Sequence, residues 1–246
     1  MRIIGVDTAT AAASVALLDG GTIVAEKTNS SDVSGDNGAR HPGKSNHAET
    51  LLLLLESLLQ SAGISLQDID GIALSIGPGS FTGLRIGLST VKGLAYGSRL
   101  SVVGVSTLLA QAARATDYDG LICPLLDARK NEVYGALFEK TGDAVHRLSE
   151  DSVASAAAIL EIIRPLAKGQ PCLMIGDGAA VYKQCLLQQW GSGALFQSGE
   201  LSLSAAATVA RLGERRFSSN DVDDLGSLAP VYLRRSQSEF KPPSFI

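Results

Sequence analysis

Apolar residues in the first half of the chain gather in short runs separated by glycine-rich or polar breaks. Residues 2–6 are one such run, closed by Asp7, and predict a buried strand. Residues 14–18 predict a second strand, Asp19-Gly20-Gly21 a hairpin turn and residues 22–28 a third strand. Residues 29–46 are rich in Ser, Gly, Asp and Asn, contain Pro42, and read as a long exposed loop. The spacing then becomes helical over 47–62, ending at Gly63. Residues 71–76 predict a strand, Gly77-Pro78-Gly79 a turn, 82–97 a second helix and 100–105 another strand. Ser106 is placed to cap a third helix reaching about residue 115.

The second half repeats the plan. Strands are predicted at 121–126, ending at Asp127, then at 132–139 and 144–148. A helix over 153–166, a strand over 172–175, helices over 179–190 and 204–217, and an extended tail over 228–235 follow. Each half thus reads β-β-β-α-β-α and onwards. Asp7 precedes Leu17 by the same ten residues that separate Asp127 from Leu137, within Val15-Ala16-Leu17 and Gly135-Ala136-Leu137. The pattern predicts a duplicated α/β chain: a first lobe over 1–115 carrying partner-binding helices, and a second, smaller α/β lobe over 116–246.

Composition narrows the functional classes. Hydrophobic residues make up 45% and charged residues 19%, which is ordinary for a globular protein. The net charge of −4 gives no basic field for gripping a nucleic-acid backbone unaided, so any role in RNA chemistry is expected to run through a partner. Cys123, Cys172 and Cys185 form no C-x-x-C pair and are odd in number, which fits a reducing, cytoplasmic setting. Asp7 interrupts the one stretch that resembles a signal peptide. The longest apolar run, 51–55, is far short of the ~20 residues of a membrane span.

The sharpest motif is Gly77-Pro78-Gly79-Ser80-Phe81-Thr82-Gly83-Leu84-Arg85-Ile86-Gly87, between a strand and a helix. Small residues and hydroxyls at a helix start can cradle an anion, or simply form a tight turn capped by Ser80 or Thr82. No Lys-Ser/Thr follows the glycines, which excludes a Walker A loop, and Thr82 stands at the third glycine position of a dinucleotide fingerprint. Asp7 and Asp127 close the first strand of each half and are expected to face a cleft, with Thr8, Thr10, Gly79, Ser80 and Thr82 as further anion or nucleotide contacts. Ala9 stands where a glycine would accompany the first aspartate.

The two helices flanking this motif suggest association. Gly83, Gly87, Gly93 and Gly97 all fall on one helix, each interior glycine costing about 1 kcal/mol against alanine. Ser89, Gly93 and Gly97 recur every four residues and predict a smooth stripe along which another helix can come close. On the preceding helix Leu51, Leu54, Leu55, Leu58 and Leu59 form the core-facing apolar stripe, and Leu52 and Leu53 extend the apolar surface around the cylinder. The predicted contact surface is Leu51, Leu52, Leu54, Leu55, Leu58, Arg85, Gly87, Ser89, Gly93 and Gly97, with packing inside the lobe as the other reading. His41, His47 and His146 are not spaced as H-x-x-x-H, Ser75 lies in no G-x-S-x-G setting, and neither a metal site nor a catalytic residue is predicted.

Taken together these residues resemble the TsaB family, also called YeaZ. The likeness rests on Met1-Arg2-Ile3-Ile4 with Asp7-Thr8-Ala9-Thr10, on the Gly77–Gly87 motif, on Gly104-Val105-Ser106-Thr107-Leu108, on Asp127-Ala128-Arg129 with Glu132-Val133-Tyr134, and on Pro230-Val231-Tyr232-Leu233-Arg234. The resemblance implies a two-lobed fold of the actin/Hsp70/sugar-kinase type, with a duplicated ribonuclease-H-like βββαβα core. It implies a non-catalytic subunit needed to place threonylcarbamoyl on adenosine 37 of tRNAs reading ANN codons. Its implied partners are the metal-bearing transferase TsaD and the ATPase TsaE, with self-association through the first-lobe helices when alone and tRNA met only in the complex. No cofactor is expected, save ATP or ADP at the partner interface. Two departures stand out: the 29–46 loop is longer than the family pattern, and only Gly176-Asp177-Gly178 remains of an adenosine-binding segment. An ATP-dependent phosphotransferase of the same fold is the alternative reading, and a metallopeptidase the third.

Overall fold

The computed structural model describes residues 1–10, 12–29, 47–197 and 203–234. The expected 29–46 loop falls almost wholly outside these residues. The first lobe is built on strands β1 (Arg2–Asp7), β2 (Ala13–Asp19), β3 (Thr22–Asn29), β4 (Gly71–Gly77) and β5 (Ser101–Ser106), in the order β3-β2-β1-β4-β5. The β1–β2 and β2–β3 pairs are antiparallel, and β4 and β5 add in parallel. Helices α1 (His47–Ala62), α2 (Phe81–Ser98) and α3 (Thr107–Ala113) provide the crossovers.

The second lobe repeats this order. Strand β6 (Gly120–Arg129) pairs antiparallel with β7 (Glu132–Gly135) near one end and with β8 (Phe138–Thr141) near the other. The expected 132–139 strand is therefore two pieces, broken where Ala136 and Leu137 turn into the core. Strand β9 (Ala144–Arg147) pairs with β8, and β10 (Ser152–Ala154) with β7. Helix α4 (Ala156–Ala167) starts later than expected, because residues 152–154 add to the sheet and Ser155 caps the helix at Ala158 N. Strand β11 (Cys172–Ile175) joins β6 in parallel, and β12 (Ala194–Phe196) joins β11. Between them the expected single helix is two, α5 (Asp177–Val181) and α6 (Lys183–Trp190), meeting at Tyr182.

Each sheet is clothed on both faces, as parallel central strands require. On the first, Ile4, Val6, Leu17, Ile72 and Leu74 meet Leu51, Leu55 and Leu58 of α1 and Leu88 and Val91 of α2. The other face, with Ile3, Leu18, Ala73 and Val103, is covered by helix α7 (Ala205–Ser218) through Val209 and Ala210. The chain thus crosses the expected boundary at residue 115, since α7 follows the whole second lobe yet completes the first. Its approach is very close. A Cβ on Gly5 would sit 2.1 Å from the Ala206 carbonyl oxygen, and one on Gly213 would sit 2.3 Å from Ala73 Cβ. The alanine-rich face of α7 exists to permit this, and the Ser14 hydroxyl accepts from Ala206 N.

Helix α3 is buried nearly all round. Leu108 and Ala112 pack into the second lobe's core beside Ile122, Leu126 and Phe138, while Ala110 faces the first lobe's. Serines cap the principal helices: Ser80, Ser106, Ser155 and Ser204 accept from the third residue's N–H at the starts of α2, α3, α4 and α7. The tail over 228–234, expected to be extended, forms neither helix nor strand and bends at Leu233 and Arg234. Leu228 is buried against Gly104, Val231 N donates to the Ile76 carbonyl at 2.7 Å, and Arg234 donates to the Ala128 carbonyl of the second lobe. Among the described residues no helix is long and apolar enough to cross a membrane.

Because the α7–β1 contact leaves no room for a side chain, Gly5→Val is expected to cost about 3 kcal/mol or more of unfolding free energy. A urea titration followed by circular dichroism measures it, as a lowered midpoint.

Candidate functional site

The glycines of the Gly77–Gly87 motif answer to one steric demand. Beyond β1 the chain runs across the start of α2, and Thr8 and Ala9 lie directly on the helix. A Cβ on Gly79 would stand 2.4 Å from the Ala9 carbonyl oxygen, one on Gly83 2.0 Å from the Thr8 carbonyl oxygen and one on Gly87 2.2 Å from Thr8 Oγ1. The spacing of four therefore makes a bare lane along one helix face. The contact is closed by hydrogen bonds: Ser80 N donates to the Ala9 carbonyl at 2.7 Å, and the Thr8 hydroxyl donates to the Gly83 carbonyl at 2.8 Å. Ser80 Oγ accepts from Gly83 N at 3.2 Å. Donors that an anion would use are in part already engaged.

The second lobe copies the device. Gly176 and Gly178, at the start of α5, lie on the Leu125 carbonyl of β6, where a Cβ would approach to 2.4 and 2.9 Å. Asp177 between them accepts from Asp127 N at 3.0 Å and from Gly178 N at 2.8 Å. Asp127 itself accepts from Arg129 N at 2.9 Å and pairs with the Arg129 guanidinium at 3.6 Å.

Between these two contacts lies a cleft of about 530 Å³. Of the predicted anion contacts, Thr10, Gly79 and Ser80 line it, together with Asp127, which the duplication had placed there. Thr8 and Asp7 are buried beneath the cleft and absent from its lining, and Thr82 is exposed on α2. The tail supplies the remaining wall. Tyr232 packs on Phe81 with ring centroids 4.8 Å apart and accepts from Arg85 Nε at 3.0 Å, while Arg234 pairs with Glu132. Arg85 lies 3.9 Å over the Phe81 ring, so it knits the tail to α2.

Asp7 is 1% exposed. Its Oδ2 accepts from the Thr10 hydroxyl at 3.4 Å, whereas its Oδ1 and the Ser75 hydroxyl have no hydrogen-bond partner among the described residues. Burial pushes the Asp7 carboxyl above the ordinary carboxylate value. The neighbouring Ser75 hydroxyl draws it part of the way back, as does the positive field of half-buried Arg114.

The predicted contact surface divides in two. Leu51, Leu55 and Leu58 belong to the lobe's own core, as the reading of their stripe as core-facing expected, and Gly87 is buried against Thr8. Leu54 is half-buried, and Leu52 and Leu53 are exposed, Leu53 by 62%. On α2, Arg85, Ser89, Gly93 and Gly97 are exposed, and a Cβ on Gly93 or Gly97 would meet open space. Tyr96, 84% exposed, joins them. The sequence reasoning missed it, although its place three residues after Gly93 sets it on the same stripe. Among the described residues no group of three His, Cys, Asp or Glu side chains is gathered to hold a metal ion.

Comparison with known proteins agrees along the whole chain. A family model described as "TsaD: tRNA N6-adenosine threonylcarbamoyltransferase" matches residues 22–243. The chain is 31% identical to the tRNA threonylcarbamoyladenosine biosynthesis protein TsaB of Escherichia coli, covering 99% of each, and 29% identical to that of Bacillus subtilis, covering 98% of this chain and 97% of that one. The solved structure of YeaZ from Pseudomonas aeruginosa superposes with a TM-score of 0.72 at 25% identity, covering 94% of this chain and 99% of that one. The duplicated sheet order is that of the actin/Hsp70/sugar-kinase fold.

The raised Asp7 carboxyl has a definite sign in stability. The folded state binds this proton more tightly than the unfolded chain, so the stability it contributes is present below pH 3.8 and is lost as pH rises through the raised value. Asp7→Asn is therefore expected to unfold at higher urea than the wild type at pH 7, with the gap closing as pH falls toward 3.8.

Proposed function

The chain belongs to the TsaB (YeaZ) family of tRNA threonylcarbamoyladenosine biosynthesis proteins, and from that premise we propose that it is the non-catalytic subunit that docks on and activates a TsaD-type transferase. A TsaE-type ATPase completes the assembly, and tRNA is met in that complex. ATP or ADP, where it takes part, sits at the interface between subunits.

The observation that carries this reading is the exposed face of α1 and α2. Leu52 and Leu53 stand beside a helix whose Ser89, Gly93 and Gly97 leave the backbone bare, with Tyr96 upright at one side. Interior glycines cost helix stability, and Gly83 and Gly87 recover it through contact with Thr8. Gly93 and Gly97 have no such contact, so their compensation is sought in another molecule's backbone. The same face serves self-association of the isolated chain.

The cleft gives the phosphotransferase reading little support. Asp127, Asp177, Ser80 and Arg234 hold one another or the backbone, and Asp7 is sealed beneath. A nucleotide entering the cleft would have to compete with those bonds.

Sedimentation of the purified chain with its TsaD-type relative tests the proposal. A complex at low micromolar concentration is expected. Gly93→Leu, which meets open space in the free chain, is expected to leave the melting temperature unchanged or slightly raised and to weaken pairing more than tenfold. Wild-type affinity in this variant would remove α2 from the interface.

A further inference from the structure

We propose that the β6–β7 hairpin tip, Arg129 and Lys130, is where this subunit touches the phosphate backbone of the bound tRNA. The inference rests on the reading that the chain works within a tRNA-modifying complex.

The hairpin's backbone sets it apart. Arg129, Lys130 and Asn131 are consecutive residues with φ of 62°, 56° and 60°. Lys130 and Asn131 occupy the two central positions of a turn whose flanking residues, Arg129 and Glu132, are paired. Such a turn needs positive φ at both, which glycine meets for want of a Cβ and asparagine tolerates through local hydrogen bonding of its short side chain. Asn131 fits. A bulge between Asp127 and Arg129 gives Arg129 the same conformation, held by the Asp127 carboxylate on its N–H. Other non-glycine residues in this conformation are accounted for. Arg99 and Lys168 end α2 and α4, where a cation favours the helix dipole, and Asn220 follows the end of α7. No helix ends at Arg129 or Lys130, so the left-handed conformation of these two cations is not offset by a helix dipole.

Placement identifies what they contact. Both residues line the inter-lobe cleft and are exposed to solvent, the Arg129 side chain by 85%. Of the other groups lining the cleft, Ser80, Asp127 and Asp177 already accept from backbone N–H groups, which disfavours a small ligand that must compete for them. Lys130 has no hydrogen-bond or ion-pair partner among the described residues, and Arg129 has only the 3.6 Å pairing with Asp127. Two exposed cations on a rigid hairpin suit an anionic chain that passes over the opening. On a chain of net charge −4 they add a local contact without giving RNA affinity to the free subunit, as expected of a component that meets tRNA only after assembly.

The test uses the reconstituted complex of this chain with its transferase relative, and labelled tRNA titrated from low to moderate salt. Lys130→Gly is expected to raise the melting temperature of the chain by about 2–4 °C, because it relieves the turn. The same change is expected to weaken tRNA binding about three- to tenfold at low salt, and to make log K against log[salt] shallower by about one. Lys168→Gly, an exposed cation in the same conformation at the end of the second lobe away from the cleft, is expected to leave binding unchanged. Equal tRNA affinity for the two variants would overturn the proposal. So would loss of assembly with the transferase in Lys130→Gly, which would hand the hairpin to an acidic protein surface. A wild-type complex that assembles but ignores tRNA would sink this inference alone, whereas failure to assemble would sink the reading beneath it.

Discussion

The fold turns on the contact between residues 8–9 and the bare lane of α2. Three glycines, Gly79, Gly83 and Gly87, let a strand end lie against a helix at distances that any side chain would forbid. That contact fixes how far α2 stands from the sheet, and so which of its faces look inward. Leu84, Leu88 and Val91 are turned to the core, and the opposite side, from Ser89 to Gly97, is left outermost. The same closeness consumes the Thr8 hydroxyl and the Ser80 N–H. The strand-to-helix turn thus serves as a structural joint. Gly176 and Gly178 on Leu125 show the joint used a second time.

Once the joints are filled, chemistry is displaced outward. The lobes are held in relation by α3, buried between them, and by the tail, which leaves the first lobe at Val231 and grips the second at Arg234. Tyr232, Phe81 and Arg85 stack along that passage. A protein so tied presents a fixed outer surface, in keeping with the docking role proposed above.

Much of this was legible in the sequence, for reasons that name particular residues. Strand β1 announced itself because Ile3, Ile4 and Val6 are buried on both faces, and α1 because leucines recur at helical spacing before Gly63. Burial direction was less legible. Leu51 and Leu52 are alike in the sequence, yet one is wholly buried and its neighbour is exposed, because the answer depends on where β2, β3 and α2 lie. The glycines were recognised as unusual, but pairwise closeness to Thr8 and Ala9 is a long-range fact, set some 75 residues away. Lys130 gave no signal, since a left-handed backbone leaves no trace in an Arg-Lys-Asn tripeptide. Helix α7 was found and then assigned to the wrong lobe, because proximity in the chain is a poor guide when a late segment returns to an early sheet.

That return has a consequence for how the protein is made. The bond between Ser14 and Ala206 joins residues 192 apart, and it seals the face of the sheet that β1 begins. While the chain is being synthesised, Ile3, Leu18, Ala73 and Val103 have no cover until the helix over 205–218 has left the ribosome. The N-terminal lobe therefore cannot mature before its neighbour does. A product that stops short of residue 205 carries an open apolar sheet for quality control to recognise, and only a chain translated through residue 218 hides that surface.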